Sequence, residues 1–412
     1  MYFLLLPAVI TISGAYLLVR LRGFFILHPI RTASEVIVAL RDRESRRAFL
    51  LALAGTLGVG NIFGVCAGLM IAGPGCVFWL LLSSVFSMII KYAETLLVFD
   101  SGRPIGGMSS VLFKVFPKTD GLLTSVYAAL TVLLSLVMGA SMQCKAVSDS
   151  TYELMGINPL FVSLLILILF SPCLVGGVNK IGKITEIIIP LTTIIYISAV
   201  IYIILSNFDR LPSVWNEILS AAFSPEAMIG STAIIAIREG FARGILSNEA
   251  GIGSSALAHS QGSNRSPHTA GLFGILEVVF DTPILCVLTA LAVLCSSTEI
   301  STAHSPAQLI SSVFCAALGN LGRSILPLLM LSFAYATVIC WYFYGRRMVS
   351  LYFPSARVAF CVLFCLFILL SPVFSSRILI SLTDALILPM TALTISAILR
   401  SSNRIAEVHR QK

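Results

Sequence analysis

Ile237-Arg238-Glu239-Gly240-Phe241-Ala242-Arg243-Gly244-Ile245-Leu246-Ser247-Asn248-Glu249-Ala250-Gly251-Ile252-Gly253-Ser254 is the stretch on which the fold turns. Hydropathy needs residues 229–260 as one membrane span, yet this segment holds four charged side chains and four glycines. A charge at mid-bilayer costs about 2.5–3.5 kcal/mol even on the lenient insertion scale, so such groups must face one another or a cavity. Glu239 and Arg243 are spaced i, i+4 with the acid first, which suits an intrahelical pair. Gly240, Ser247, Asn248 and Glu249 read instead as a helix break or gate, because irregular backbone at membrane depth is tolerated only where it lines a cavity or is buried in protein.

The rest of the chain supplies the membrane. Of 412 residues, 57% are hydrophobic and 11% charged, where a soluble domain carries about 25% charged residues. Mean hydropathy is +0.97. No polar stretch is long enough for a soluble domain. The ten cysteines are scattered through apolar runs without CxxC spacing, and read as small buried hydrophobes. Runs of about 20 apolar residues predict spans at 2–19, 48–72, 76–99, 122–144, 158–178, 184–206, 229–260, 270–296, 324–345, 358–374 and 378–399. Segments 303–318 and 213–223 are shorter and read as interfacial or re-entrant helices. With the N-terminus outside, 20 of the 27 Lys and Arg fall in cytoplasmic loops, among them Arg103, Arg265 and Lys412. Four fall outside and three within spans, as the positive-inside rule requires. The net charge of +8 thus reflects topology and anionic lipid headgroups. A nucleic-acid surface would need basic residues clustered on one face, and none is evident.

Two further spans depart from plain Leu/Ile/Val/Ala. Ala54-Gly55-Thr56-Leu57-Gly58-Val59-Gly60-Asn61-Ile62-Phe63-Gly64 places glycines around an amide at mid-membrane. Each glycine weakens a helix by about 1 kcal/mol relative to alanine. Transporters use such breaks so that half-helix N–H groups face a carboxylate and freed carbonyls meet a cation; a small-residue packing face is the plainer alternative. In Phe333–Gly345, Thr337 and Trp341 share a helix face and form a ligand wall, while Tyr342 to Tyr344, just before Arg346 and Arg347, suit an interfacial aromatic belt. Lys91 and Glu94 read as a structural pair. Glu277 and Asp281, i and i+4 inside a span, leave a proton relay open. No enzyme constellation appears.

In order and spacing these segments resemble the alanine/glycine:cation symporter family. Gly58-Val59-Gly60-Asn61-Ile62-Phe63-Gly64, then Gly73-Pro74-Gly75 with Phe78-Trp79, then Ala236 to Ser254 and Trp341 to Gly345 carry the likeness, with weaker matches at Gly139 to Gln143 and Phe280-Asp281-Thr282. The resemblance implies an all-α polytopic membrane protein of about eleven transmembrane helices. Its LeuT-like core would be two inverted five-helix repeats, 48–206 and 229–399, after one extra span, 2–19, and before a cytoplasmic tail, 400–412. Two helices would be broken. It implies symport of alanine or glycine with a cation, sodium first and a proton second, across a bacterial inner membrane, without a transition metal or other cofactor. The alternatives are a proton-coupled transporter, or a transporter-derived amino-acid sensor or channel. By carry-over, Thr56, Gly58, Gly60, Asn61, Gly139, Gln143, Thr337 and Trp341 would bind substrate, with Gly58 and Thr337 at the cation.

One departure is chemical. The family pairs two hydroxyl residues where this chain has Ala336-Thr337, so one sodium ligand is missing. Ala336→Ser should therefore strengthen sodium activation of uptake; unchanged activation would count against a sodium site beside Thr337.

Overall fold

The apolar runs fold as helices almost wherever the sequence marks them. The structure is a computed structural model describing residues 4–102, 106–223, 231–261, 266–296 and 298–411, with side chains for all of these except 175–182 and 231–232. Arg103, Arg265 and Lys412 of the charge tally, and 2, 3, 229 and 230 of the predicted spans, lie outside the described residues.

The chain opens with α1 (Leu5–Arg20), α2 (Phe24–Leu27) and α3 (Pro29–Ala39). The first broken helix follows: α4 (Arg43–Thr56), a π-helical turn Gly60–Gly64, and α5 (Val65–Ala72), bent by 45°. Next come α6 (Gly75–Asp100), α7 (Met108–Val115), and α8 (Leu122–Leu134), which runs through a second π turn, Ser135–Met142, into α9 (Gln143–Met155). After α10 (Pro159–Leu205) and α11 (Leu211–Phe223) comes the second broken helix, α12 (Ser231–Asn248) and α13 (Ala256–His259). Then α14 (Pro267–Val279), a third π turn, Phe280–Cys286, and α15 (Val287–Cys295) form one rod. The chain closes with α16 (Pro306–Tyr352), α17 (Arg357–Leu369), α18 (Ser376–Arg400) and α19 (Ser402–Arg410).

Among the described residues six helical runs are long and apolar enough to cross a membrane, and the bent α4–α5 pair makes a seventh. The first helix, the first half of α10 and the Pro354–Leu369 segment are shorter apolar helices. The charged α12 with its break occupies the remaining position marked in the sequence.

Two long helices hide a change of direction. At about 1.5 Å per residue, the 47 residues of α10 would overrun a core about 30 Å thick. The Leu174 carbonyl accepts from Arg346 Nη1 at 2.7 Å, whereas Tyr196 packs on Phe333, well before Arg346 in the same helix, with ring centroids 5.8 Å apart. Tyr335 OH also donates to Leu169 O at 3.1 Å, so Pro159–Leu174 runs along α16 from Tyr335 toward Arg346, and Lys183–Leu205 comes back toward Phe333. Within α16, Gly319 adopts φ 55° and ψ −132°, which separates the expected re-entrant segment 303–318 from the span after it. The independent helix expected at 213–223 is α11, which buries Val214 and Ile218 and exposes Leu219 and Phe223.

Small residues let the core helices touch. A Cβ at Gly274 would lie 2.8 Å from the Lys91 carbonyl oxygen, and one at Gly271 would lie 2.6 Å from the Tyr92 ring, so α14 lies directly on α6. Gly240 does the same for α12: its Cβ would lie 2.6 Å from the Cys76 carbonyl. This corrects one expectation. Gly240 sits inside a continuous helix and is needed for close approach, so it is no part of the break. The aromatic belt fails likewise. Tyr342 and Tyr344 are buried, the first stacked on Phe360 and the second against Gly55.

Gly274→Val should cost about 1–3 kcal/mol by overpacking α14 on α6. Thermal unfolding of the purified protein would read this, and an unchanged midpoint would show that the helices can part without cost.

Candidate functional site

A helix break in an apolar medium releases backbone groups that must find partners. In the first break Leu57 leaves the helix at ψ 72°. Gly58 N–H, which would bond the Ala54 carbonyl in a continuous helix, turns to Thr56 O at 2.8 Å and Asn61 Oδ1 at 3.2 Å. The freed Ala54 carbonyl accepts from Thr337 Oγ1 at 3.0 Å. Val59 N–H donates to Gln143 Oε1 at 3.1 Å. Built onto Gly58, a Cβ would lie 2.8 Å from both Gln143 Oε1 and Thr337 Oγ1, so only glycine fits. Gln143 is held in turn through Nε2 on Met138 O, 3.2 Å, inside the second π turn.

The second break runs from Glu249, at φ 55°, to Gly253, at φ 87°. Such values are rare for a side-chain-bearing residue like Glu249 and ordinary for glycine. Here α6 supplies the partners. Lys91 Nζ donates to Asn248 O at 2.8 Å, and Gly251 N–H donates to Glu94 Oε2 at 2.8 Å. Tyr127 OH donates to Ile252 O at 2.9 Å. Lys91 and Glu94 are thus not the simple pair their spacing suggests; each caps one side of the break. The lysine pairs with Glu277 at 3.4 Å, and Glu277 also meets His259 Nε2 at 2.7 Å. Glu239 and Arg243 do form the expected pair, at 3.2 Å, and Asp384 adds a second carboxylate 3.0 Å from Arg243.

Asp281, in the third π turn, joins the two breaks. Its Oδ1 accepts from Asn61 Nδ2 at 2.5 Å, and its Oδ2 accepts from Ser247 Oγ at 2.5 Å and Thr282 Oγ1 at 3.0 Å. Asn248 Nδ2 donates to Thr282 Oγ1 at 3.1 Å. Asn61 and Asn248 turn their amide N–H groups to this knot, so its oxygens are the Asp281 carboxylate and the Ser247 and Thr282 hydroxyls, ligand types that suit a hard cation. Nearby, Trp341 Nε1 donates to Glu249 Oε1 at 3.1 Å, and Ser254 Oγ donates to Glu249 Oε2. The Trp341 backbone-side atoms press on Gly139, where any Cβ would collide.

Most residues named from the sequence therefore converge. Gly58, Asn61, Gln143 and Thr337 meet at the first break, Glu249 opens the second, Ser247 and Asn248 sit in the last turn of α12 just before it, and Trp341 bonds Glu249 and packs on Gly139. Gly60 opens the π turn after the first break. Thr56 does not join them: its hydroxyl turns back to Leu53 O at 3.4 Å. Asp281, Lys91 and Glu94 were undervalued. Their signal was present as ionisable residues inside apolar spans, which is expensive and hence functional by default. Asn61, Gln143, Ser247, Asn248, Glu249, Asp281, Thr337 and Trp341 are all buried, so the site is closed on both sides.

Two interrupted helices meeting at a buried polar centre in a multi-pass helical protein have the architecture of a membrane transporter. The chain belongs to the sodium:alanine symporter family, whose profile matches residues 1–411. It is 30% identical over 353 residues to the sodium/alanine symporter AgcS of Methanococcus maripaludis, covering 81% of this chain and 78% of that one. It is 28% identical over 255 residues to a sodium/proton-dependent alanine carrier protein of Bacillus sp. PS3, covering 61% of this chain and 57% of that one. The fold is similar to the crystal structure of MhsT in complex with L-phenylalanine, with TM-score 0.65 and 15% identity over 88% of this chain and 92% of that one.

Lys91→Met should destabilise the protein by about 3–5 kcal/mol, since it strands buried Glu277. Adding Glu277→Gln should recover part of that loss. A double-mutant cycle on unfolding midpoints checks this; additive effects would mean the two do not interact.

Proposed function

We propose that this protein imports a small neutral amino acid, alanine or glycine, together with a cation by alternating access. The observation that carries the reading is the pair of backbone N–H groups, Gly58 and Val59, held by Asn61 and Gln143 in an unwound segment next to the Asp281 knot. A substrate carboxylate can take over those donors with little backbone rearrangement, because the break already points them inward. Gly139, Thr337 and Trp341 would form the wall around the substrate's small side chain. Glu249, between Trp341 and Ser254, suits the substrate ammonium better than the carbonyls alone.

Sodium is the coupling ion of this reading. Asn61 belongs to one break and Ser247 to the other, so a cation at Asp281 would tie both together. Asp281 also answers the missing hydroxyl at Ala336, since a charged ligand offsets a lost neutral one. A proton is the second reading, favoured by the same carboxylate, which can carry the charge itself. One cation falling through about 100 mV releases about 2.3 kcal/mol, and a tenfold gradient adds about 1.4 kcal/mol. Together they support roughly a few-hundred-fold accumulation of a neutral solute. The breaks fall at matching places in 48–206 and 229–399, in keeping with two inverted repeats after the extra span 2–19. The arginine-rich loop and the 400–412 tail belong on the cytoplasmic side of a bacterial plasma membrane, with the N-terminus outside.

Labelled alanine and glycine uptake into proteoliposomes under imposed sodium or proton gradients tests this. Gradient-driven accumulation is expected, and binding or current without accumulation would favour a sensor or channel instead. Asp281→Asn should raise the sodium concentration for half-activation by about tenfold or more, as expected for losing a ligand worth ~1.4 kcal/mol. An unaltered sodium response would remove Asp281 from the ion path.

A further inference from the structure

Away from the closed centre, one cavity stands out by its charge. It measures about 690 Å³ and lies among the ends of α1, α14 and α19 and the short helices α2 and α3. Among the described residues four arginines line it, Arg20, Arg22, Arg31 and Arg410, against one acidic residue, Glu35. Glu35 is already shared. Its Oε1 lies 3.2 Å from Arg31 Nε and its Oε2 lies 3.5 Å from His268 Nε2. Arg20 donates only to neutral acceptors: the Ser402 carbonyl at 3.1 Å, the Tyr16 hydroxyl at 2.7 Å and the Asn403 side chain. The concavity therefore keeps a surplus of positive charge. Like charges focused in one cleft raise the local anion concentration.

Positive-inside topology accounts for arginines on this face, but it predicts solvated side chains, not a walled cavity with an apolar floor. Phe24 and Leu272 provide that floor. Its volume falls within the roughly 300–1,000 Å³ of small-ligand sites. Beside the arginines, α2 and α3 expose Leu27 and Ile30, the latter to 85%, together with Ile37 and Val38. A helix that pairs exposed aliphatics with cations lies in the headgroup layer. The cavity mouth thus opens where phosphates are densest.

We propose that this cavity binds a phosphate-bearing anion, gripped by Arg22 and Arg410 with Arg20 behind them. Forked guanidinium donors match phosphate oxygens two at a time, which a lysine ammonium does not. The bound group would join α1, α19 and the start of α14, the helix that carries Glu277 and leads into the π turn of Asp281. The phosphate can come from an anionic phospholipid headgroup or from a soluble phosphate.

Thermal unfolding of the purified full chain in neutral detergent, titrated with three probes, separates the cases. The probes are short-chain phosphatidylglycerol, short-chain phosphatidylcholine and inorganic phosphate. A saturable rise in midpoint with phosphatidylglycerol alone supports the site and assigns the lipid; a rise with inorganic phosphate supports it and assigns the soluble anion. In either case Arg22→Gln/Arg410→Gln should weaken the apparent affinity by about tenfold or more. Arg31→Gln, which leaves the turn at Arg22 untouched, should weaken it in the same direction and keeps the test alive if the double variant does not fold. No shift with any probe, equal shifts with phosphatidylcholine and phosphatidylglycerol, or undiminished affinity in the folded variants would overturn the proposal.

Discussion

Every N–H and C=O set free by a helix break must be paired inside a slab that offers no water. That requirement organises the centre of this protein. The cost of leaving one such group buried and unpaired is about 1–3 kcal/mol, and two breaks release several. The partners come from across the chain: Gln143 and Thr337 for the first break, Lys91, Glu94 and Tyr127 for the second. Each partner is a polar side chain in an otherwise apolar helix, and each must itself be held. Gln143 is held by the second π turn and Lys91 by Glu277. Polar residues thus enter the membrane in connected sets.

The same requirement explains why α6 matters beyond packing. Its residues 91 and 94 hold the carbonyl on one side of the second break and the N–H on the other. Its neighbour α14 approaches closely enough, through Gly271 and Gly274, to bring Glu277 to Lys91. A lysine and a glutamate therefore fix a segment whose own backbone bonds are few, Glu249 N–H to Ile245 O at 2.9 Å and Ile252 N–H to Glu249 O at 3.1 Å. Farther along the α14 rod, Asp281 receives one donor from each break. Asp281 thus ties the π turn that follows the first break to the last turn of α12.

Much of this was legible from residue types. The helix class, both breaks and the gathering of Gln143, Thr337 and Trp341 at them could be read because glycine and polar residues in an apolar run have few explanations. What could not be read were long-range pairings. Lys91 and Glu94 are three apart on a helix, and local spacing favours pairing them with each other, whereas the fold turns both toward a segment more than 150 residues later. Gly240 looked like part of a break because of its charged neighbours, yet it serves the contact with Cys76. Tyr342 and Tyr344 sit beside arginines, as belt residues do, and are buried all the same, because α17 and α4 cover them. In each case a tertiary contact overrode a local pattern.

The two chain ends meet. Tyr16 and Arg20 of α1 bond to Ser402 and Asn403 of α19, nearly the whole chain apart, and Arg404 grips Asp100 with both arms of its fork. During synthesis the first helix enters the bilayer long before its partner exists, so it must wait there with part of its surface against lipid. Until α19 is made, Tyr16 and Arg20 lack the partners that clasp α1 to it.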